Sequence, residues 1–238
     1  MISIQNKPVL SGSVLKLFAA FAMLADHVAL HLFSHIESAC TVFYHLYGYD
    51  LSIYTLCRGL GRMAFPLFAF LLVEGALHTH NRKRYGALLL LFAIISEIPW
   101  NLIYSNHWLY PSQNVLFTLF LGLVAIDALE RYQEKIIKMS LILLGTFGIS
   151  ILLNADYGYT GYVFIIALYL FRSNLPLMAL VGIYLLPSHW IGGLAFILIA
   201  LYNGQRGFIK GKIGKYFFYL FYPLHLLILY GCKLYLFE

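Results

Sequence analysis

Long apolar runs broken by short polar stretches occupy this chain from about residue 14 to residue 237. The runs are continuous and rich in Leu, Phe, Ala and Ile, without the two-residue alternation of membrane β-barrel strands. A helix that crosses a bilayer needs about 20 mostly apolar residues. The pattern therefore predicts an all-α, polytopic transmembrane bundle of about nine spans, with eight to ten as the range. Expected spans cover 14–35, 53–77, 85–104, 114–129, 136–153 and 216–237. Runs at 162–171, 175–186 and 190–202 are short, and both three tilted spans and one re-entrant pair fit them. No repeat, low-complexity tract or linker divides residues 1–238, so a single domain is expected. The first run lacks a small-residue cleavage site behind a short apolar core and reads as a retained span.

The polar stretches give the orientation. Arg82, Lys83 and Arg84 form the densest basic cluster, and Arg131 with Lys135, then Arg206, Lys210, Lys212 and Lys215, form others. The stretch 36–52 and the stretch 105–113 contain neither Lys nor Arg. Cytoplasmic loops carry the Lys and Arg excess, which predicts a cytoplasmic N-terminus, a C-terminus on the far side and a multi-pass protein of the inner, cytoplasmic membrane.

Composition narrows the class. Of 238 residues, 61% are apolar or aromatic and 11% charged, against about a quarter charged in an ordinary soluble domain. Mean hydropathy is +0.80, which excludes a soluble enzyme and a disordered chain. The net charge of +6 lies at the ends of apolar runs rather than on one polar face, so it does not point to nucleic acid. The three cysteines, Cys40, Cys57 and Cys232, make no disulfide framework. A Cys40–Cys57 bridge across the first external loop is one option.

Charge inside a bilayer is expensive, so each ionisable residue within a span is a functional candidate. These are Asp26, His27, His31, Arg58, Arg62, Glu74, Glu97, Asp127 and His225. From Lys16, eleven residues of helix rise about 16 Å, which sets His27 just past mid-membrane if Lys16 marks the boundary. A neutral imidazole at that depth suits a general base, and also suits a histidine satisfied by a neighbouring helix. His31 shares its face; Asp26 lies about 100° around the helix. Arg58 and Arg62 share a face of the second span and need a partner: Asp26, Glu97 or a substrate carboxylate. Glu74 lies toward the inner end of that span. Pro99 opens the helix backbone after Glu97, near Asn101, and Gln113 with Asn114 begins the fourth span, where both amides suit an acceptor or a structural bond. The basic clusters suit either donor phosphates or anionic lipid. The glycines at 204, 207 and 211 lack the strand–loop–helix context of a phosphate loop. Neither His78 and His80 nor the ladder His27, His31, His35 has a metal-ligand pattern, so no metal is expected.

Several of these segments together resemble the TraX family: residues 15–27 with Lys16, Asp26 and His27, residues 61–75 with Arg62, Pro66 and Glu74, residues 95–99 with Glu97, and residues 113–122 with Gln113 and Asn114. The second half is similar in hydropathy and around residues 219–225. TraX proteins are similar in turn to the integral-membrane acyltransferases, whose first span carries a basic residue, ten residues and a catalytic histidine. Lys16 and His27 have that spacing, with Lys in place of Arg. The resemblance implies acetyl transfer from cytoplasmic acetyl-CoA to an amine or hydroxyl, the pilin N-terminus in the founding member. It implies catalytic roles at His27, with Asp26, Glu97 and His225, and phosphate contacts at Lys16, Arg82 and Arg84. On the acceptor side it implies Arg58, Arg62, Glu74, Asn101, Gln113 and Asn114. The expected partners are the bilayer, acetyl-CoA and an acceptor of unknown kind. Two readings from other classes stay open: a small-solute transporter or flippase, and a structural subunit of a conjugation apparatus.

Overall fold

A computed structural model describes residues 9–46, 48–186 and 189–237. The chain forms α1 (Gly12–His31), a 3-10 turn (Phe33–His35), α2 (Glu37–Cys40), strands β1 (Tyr44–Leu46) and β2 (Tyr49–Leu51), then α3 (Ile53–Gly61), α4 (Ala64–His78) and α5 (Arg82–Ser105). Next come α6 (Val115–Arg131), α7 (Ile136–Leu152), α8 (Gly158–Leu170), α9 (Leu175–Leu185), α10 (His189–Gly193), α11 (Ala195–Ala200) and α12 (Gly211–Phe237). Among the described residues, four stretches are long and apolar enough to cross a membrane: Gly12–His35, Ile53–His78, Arg82–Ser105 and Tyr216–Phe237. Shorter apolar helices accompany them at Ile136–Leu152, Gly158–Leu170, Leu175–Leu185 and Ile191–Ala200. On α7, Ile137 is 79% and Leu144 67% exposed, a surface that water would penalise and hydrocarbon would not. The chain is a multi-pass helical membrane protein.

Polar side chains mark the helix starts. Ser52 and Thr55 make a reciprocal capping box on α3, and Asn81, Asn114 and Asn174 cap α5, α6 and α9 through their side chains. Asn106 closes α5 in the left-handed conformation at φ 57°, which Asn tolerates better than most residues. The Gly204–Gly207 segment ends up as a clasp on α1. Gly12 N–H donates to the Gln205 carbonyl at 2.8 Å and Ser13 N–H to the Arg206 carbonyl at 2.9 Å. Gly207, at φ 86°, lies so close to Ser11 and Ser13 that a side chain has no room.

Contacts give the helix directions. Lys16 lies over the Phe218 ring, His27 meets His225 and His35 meets Phe237, so α1 and α12 run parallel. Phe92 packs on Tyr219 and Asn106 accepts from the Tyr230 hydroxyl, so α5 runs with them. Phe70 of α4 packs on Tyr202, which bridges to Leu10, so α4 runs the other way. Arg82 at the start of α5 meets Glu130 at the end of α6, and Glu130 meets Tyr169 at the end of α8. These directions bring Arg82, Lys83, Arg84, Arg131, Arg172, Arg206 and Lys210 to one end of the bundle.

The structure departs from the sequence pattern in several places. The second apolar run bends at Arg62 and Met63 into α3 and α4, the first breaks at Leu32, and the run 190–202 divides into α10 and α11. The first polar stretch holds an antiparallel hairpin in which His45 faces Asp50. Cys40 and Cys57 are both free thiols, so the optional bridge is not formed. The break read at Pro187 and Ser188 and the end at Glu238 lie outside the described residues.

Close packing between α6 and α8 depends on Gly122, where an added Cβ runs into the buried Ile165 side chain. Gly122→Val should lower stability by about 1–3 kcal/mol through overpacking. Gly145→Ala, inside α7 with nothing within 4 Å, should leave the thermal midpoint in detergent unchanged or raise it slightly, since Ala favours the helix over Gly, and the comparison of the two checks the packing.

Candidate functional site

Five residues before its end, α1 presents two polar neighbours to different helices. Asp26 turns toward α3, where its Oδ2 accepts from Arg58 Nη1 at 2.6 Å. Both side chains are largely enclosed, at 18% and 20% exposure. The other oxygen, Oδ1, is buried without a hydrogen bond among the described residues. Gly61 lets α3 approach this closely: a Cβ there would collide with the Asp26 side chain. Of the partners open to Arg58, the structure therefore selects Asp26. Arg62, which ends α3, stands within electrostatic reach of Asp26 and Asp156 but makes no ion pair among the described residues.

His27 turns toward α12. Its Nδ1 lies 2.7 Å from His225 Nε2, and the ring planes are parallel within 4° with centroids 5.0 Å apart. That separation suits rings joined edge to edge by the hydrogen bond rather than stacked face to face. His225 Nδ1 lies 2.8 Å from the Phe221 carbonyl oxygen, which only accepts. His225 Nδ1 must then carry the proton, so a neutral His225 accepts at Nε2 and His27 donates from Nδ1. Nε2 of a neutral His27 keeps its lone pair. Both rings are buried, at 6% and 5% exposure.

His27 and Asp26 line a small cavity of about 50 Å³ together with Gly61, Phe65, Asp156, Tyr157 and Tyr222. Water occupies about 30 Å³ in the liquid, so the space holds a small group or a water, not a whole substrate. Asp156, Tyr157 and Tyr222 escaped the sequence reading. Asp156 reads as part of an outer turn, and the only available signal for Tyr222 is its place one turn before His225. His31 continues the α1 face beyond His27, with its ring edge-on to Tyr104 at 4.7 Å and Nε2 unpaired.

The remaining candidates lie elsewhere. Glu97 Oε1 accepts from the Asn114 amide N–H at 3.0 Å and from the Asn114 side-chain amide, which also donates to the Ala93 carbonyl at 2.8 Å. Asn114 is fully buried and caps α6, so this pair ties α5 to α6. Asn101 Nδ2 donates to the Trp108 carbonyl at 2.8 Å, and the Gln113 carbonyl accepts from the Asp156 N–H at 2.9 Å. Glu74 sits at the opposite end of α4, 3.6 Å from His78. Arg82 donates to Glu130 at 3.0 Å and to the Ala76 carbonyl at 2.8 Å, and lies 3.7 Å from Asp127. Arg82, Asp127 and Glu130 border an open recess of about 480 Å³ at the basic end, with His80, Lys83 and Arg131. The Arg84 backbone N–H donates to the Asn81 cap while its side chain is exposed. Lys16, half-buried, has the Phe218 ring beneath it and no carboxylate partner among the described residues. No group of side chains arranged to hold a metal occurs among the described residues.

The profile of the TraX protein family matches residues 11–233. The chain belongs to the TraX family. It is also similar to the probable fimbrial assembly protein FimC, serogroup H1, of Dichelobacter nodosus, at 29% identity over 255 positions, covering 95% of this chain and 97% of that protein. No solved structure matches it. In this TraX chain the paired histidines, the Asp26–Arg58 pair and the cavity all fall within the matched segment.

Breaking a buried ion pair leaves an uncompensated charge, at about 3–5 kcal/mol. Arg58→Met should lower stability by about 3 kcal/mol. Asp26→Leu in the same chain should restore most of it, since an apolar pair replaces an ionic one. Denaturation of the single and double variants in the same detergent measures the coupling, and independent losses in the two would refute the pair.

Proposed function

We propose that this TraX protein is an acetyl-CoA-dependent integral-membrane acyltransferase, related to that wider group of enzymes and working in pilus or fimbrial assembly. The observation that carries the reading is the chain from the Phe221 carbonyl through His225 to His27, which leaves His27 Nε2 as a buried proton acceptor beside a cavity. A base needs a lone pair aimed at its substrate and a group that fixes the ring; His225 supplies the second. Acetyl-CoA would supply the activated thioester. Lys16 and Arg84 would meet its phosphates, and Arg82 could join only by exchanging Glu130, which already holds it. On the acceptor side, Arg62 lies near the cavity wall. Arg58 acts through Asp26, while Glu97, Asn101, Gln113 and Asn114 position α5 and α6 around the site. The fimbrial relative is what points to a pilus-related acceptor.

In this reading all nine apolar stretches cross the inner, cytoplasmic membrane, and the basic end of the bundle faces the cytoplasm. Gathering of the basic residues at one end supports it, because cytoplasmic segments carry the Lys and Arg excess. A reporter fused at the N-terminus should then read cytoplasm and one fused after Glu238 the far side. Two ends in one compartment would remove a span from the region 162–202.

A second reading is favoured by the same relative and by the small cavity: a fimbrial assembly subunit without catalysis. Purified protein in detergent with labelled acetyl-CoA separates the two. General bases contribute about 10²–10⁴-fold, so His27→Ala should lose that much thioester turnover while still inserting and binding acetyl-CoA. Turnover that is absent, or independent of His27, sinks the enzyme reading.

A further inference from the structure

Tyr222 of α12 and Val115, the first residue of α6, line the same cavity as His27. Tyr222 is 4% exposed, and its hydroxyl proton has no acceptor among the described residues. It precedes His225 by three residues, so the two share a helix face. The neighbouring amides at the start of α6 are taken. Asn114 N–H donates to Glu97 at 3.0 Å, Leu116 N–H to Asn114 Oδ1 at 3.1 Å and Phe117 N–H to the Asn114 carbonyl at 3.2 Å. The Val115 amide instead stands beside the Tyr222 hydroxyl. A helix N-terminus carries partial positive charge and unpaired N–H groups. The two carboxylates on the cavity wall are opposed by arginines: Asp26 by Arg58, and Asp156 by Arg62 and Arg58. A buried O–H without an acceptor and a helix N-terminus therefore border the same small cavity as His27.

We propose that Tyr222, with the α6 N-terminus behind it, is the oxyanion donor of the acyl transfer. This rests on the acyltransferase reading given above. The acceptor nitrogen or oxygen adds to the thioester carbonyl carbon, and its proton passes to His27 Nε2. The carbonyl π pair moves onto oxygen, where the Tyr222 hydroxyl donates to it, with the Val115 amide behind that hydroxyl. That pair then re-forms the carbonyl, the carbon–sulfur bond breaks, and the departing CoA thiolate takes the proton back from His27. The products are the acylated acceptor and CoA thiol, with no change of oxidation state.

The test uses full-length protein in detergent with acetyl-CoA, following CoA thiol release and labelled transfer. Removing one oxyanion donor costs about 10²–10³-fold in kcat. Tyr222→Phe should lose that much with KM for acetyl-CoA and the thermal midpoint unchanged. Replacing Tyr222 by 3-fluorotyrosine keeps the hydroxyl as a donor and should retain turnover where Tyr222→Phe loses it. Full activity in Tyr222→Phe, beside an active wild type, overturns the oxyanion assignment and leaves acyl transfer standing. So does a Tyr222→Phe loss that follows a fallen thermal midpoint, or a fluorotyrosine protein as inactive as Tyr222→Phe. A wild type without His27-dependent thioester cleavage overturns both.

Discussion

The Asp26–Arg58 ion pair constrains the arrangement around it. A charged side chain in a low-dielectric interior is tolerated when it is paired, and Arg58 on α3 has Asp26 on α1 within 2.6 Å. Holding that distance brings the end of α3 against α1, and the approach is sterically open because residue 61 is glycine. The chain then bends at Arg62 and Met63 before α4 runs back along the bundle. With Asp26 committed to α3, the next residue is rotated about 100°, which carries His27 onto the α12 side. One helix thereby holds an ion pair on one flank and an imidazole on another.

The backbone of α12 sets which way the histidine pair is protonated. The Phe221 carbonyl lies one turn before His225 and takes its Nδ1 proton, so the direction of donation along the pair follows from a main-chain acceptor that cannot reverse. A second imidazole in this position has the orienting part that a carboxylate or carbonyl has for many functional histidines. It does so without adding another negative charge near Asp26 and Asp156.

Hydropathy located the helices, because apolar runs report burial in lipid or protein regardless of neighbours. It also picked out His27 and His225 singly, since an ionisable residue in an apolar run stands out by itself. Their pairing was not legible: 198 residues separate them, and helical periodicity relates positions on one helix, not between helices. For the same reason Asp26 and Glu97 were equal candidates for Arg58, and geometry divides them, with Asp26 taking the arginine and Glu97 the start of α6. Arg82 read as a contact for donor phosphate or anionic lipid, because its carboxylate partners Asp127 and Glu130 lie 45 and 48 residues further on. Beyond its place one turn before His225, Tyr222 carried no signal, being one of 19 tyrosines in the chain, and becomes informative only when its hydroxyl is found enclosed beside the start of α6.

The directions of the helices bear on how a reaction here would be supplied. Lys16 lies toward the basic end and His27 about 16 Å further along α1, with Ala19, Ala20 and Ala22 buried between them. Asp156 and Tyr157, which border the cavity, come from the turn between α7 and α8, and the hairpin and the stretch 106–114 belong to that same end. His27 is thus deep from the basic end and close beneath the loops of the other. On the proposed reading, a donor from the basic side must thread an arm along α1, whereas an acceptor from the opposite side has only the loop layer to pass. The small side chains at 19, 20 and 22 are where such an arm meets least bulk. On that reading, substrates from opposite sides would meet at the small cavity beside His27.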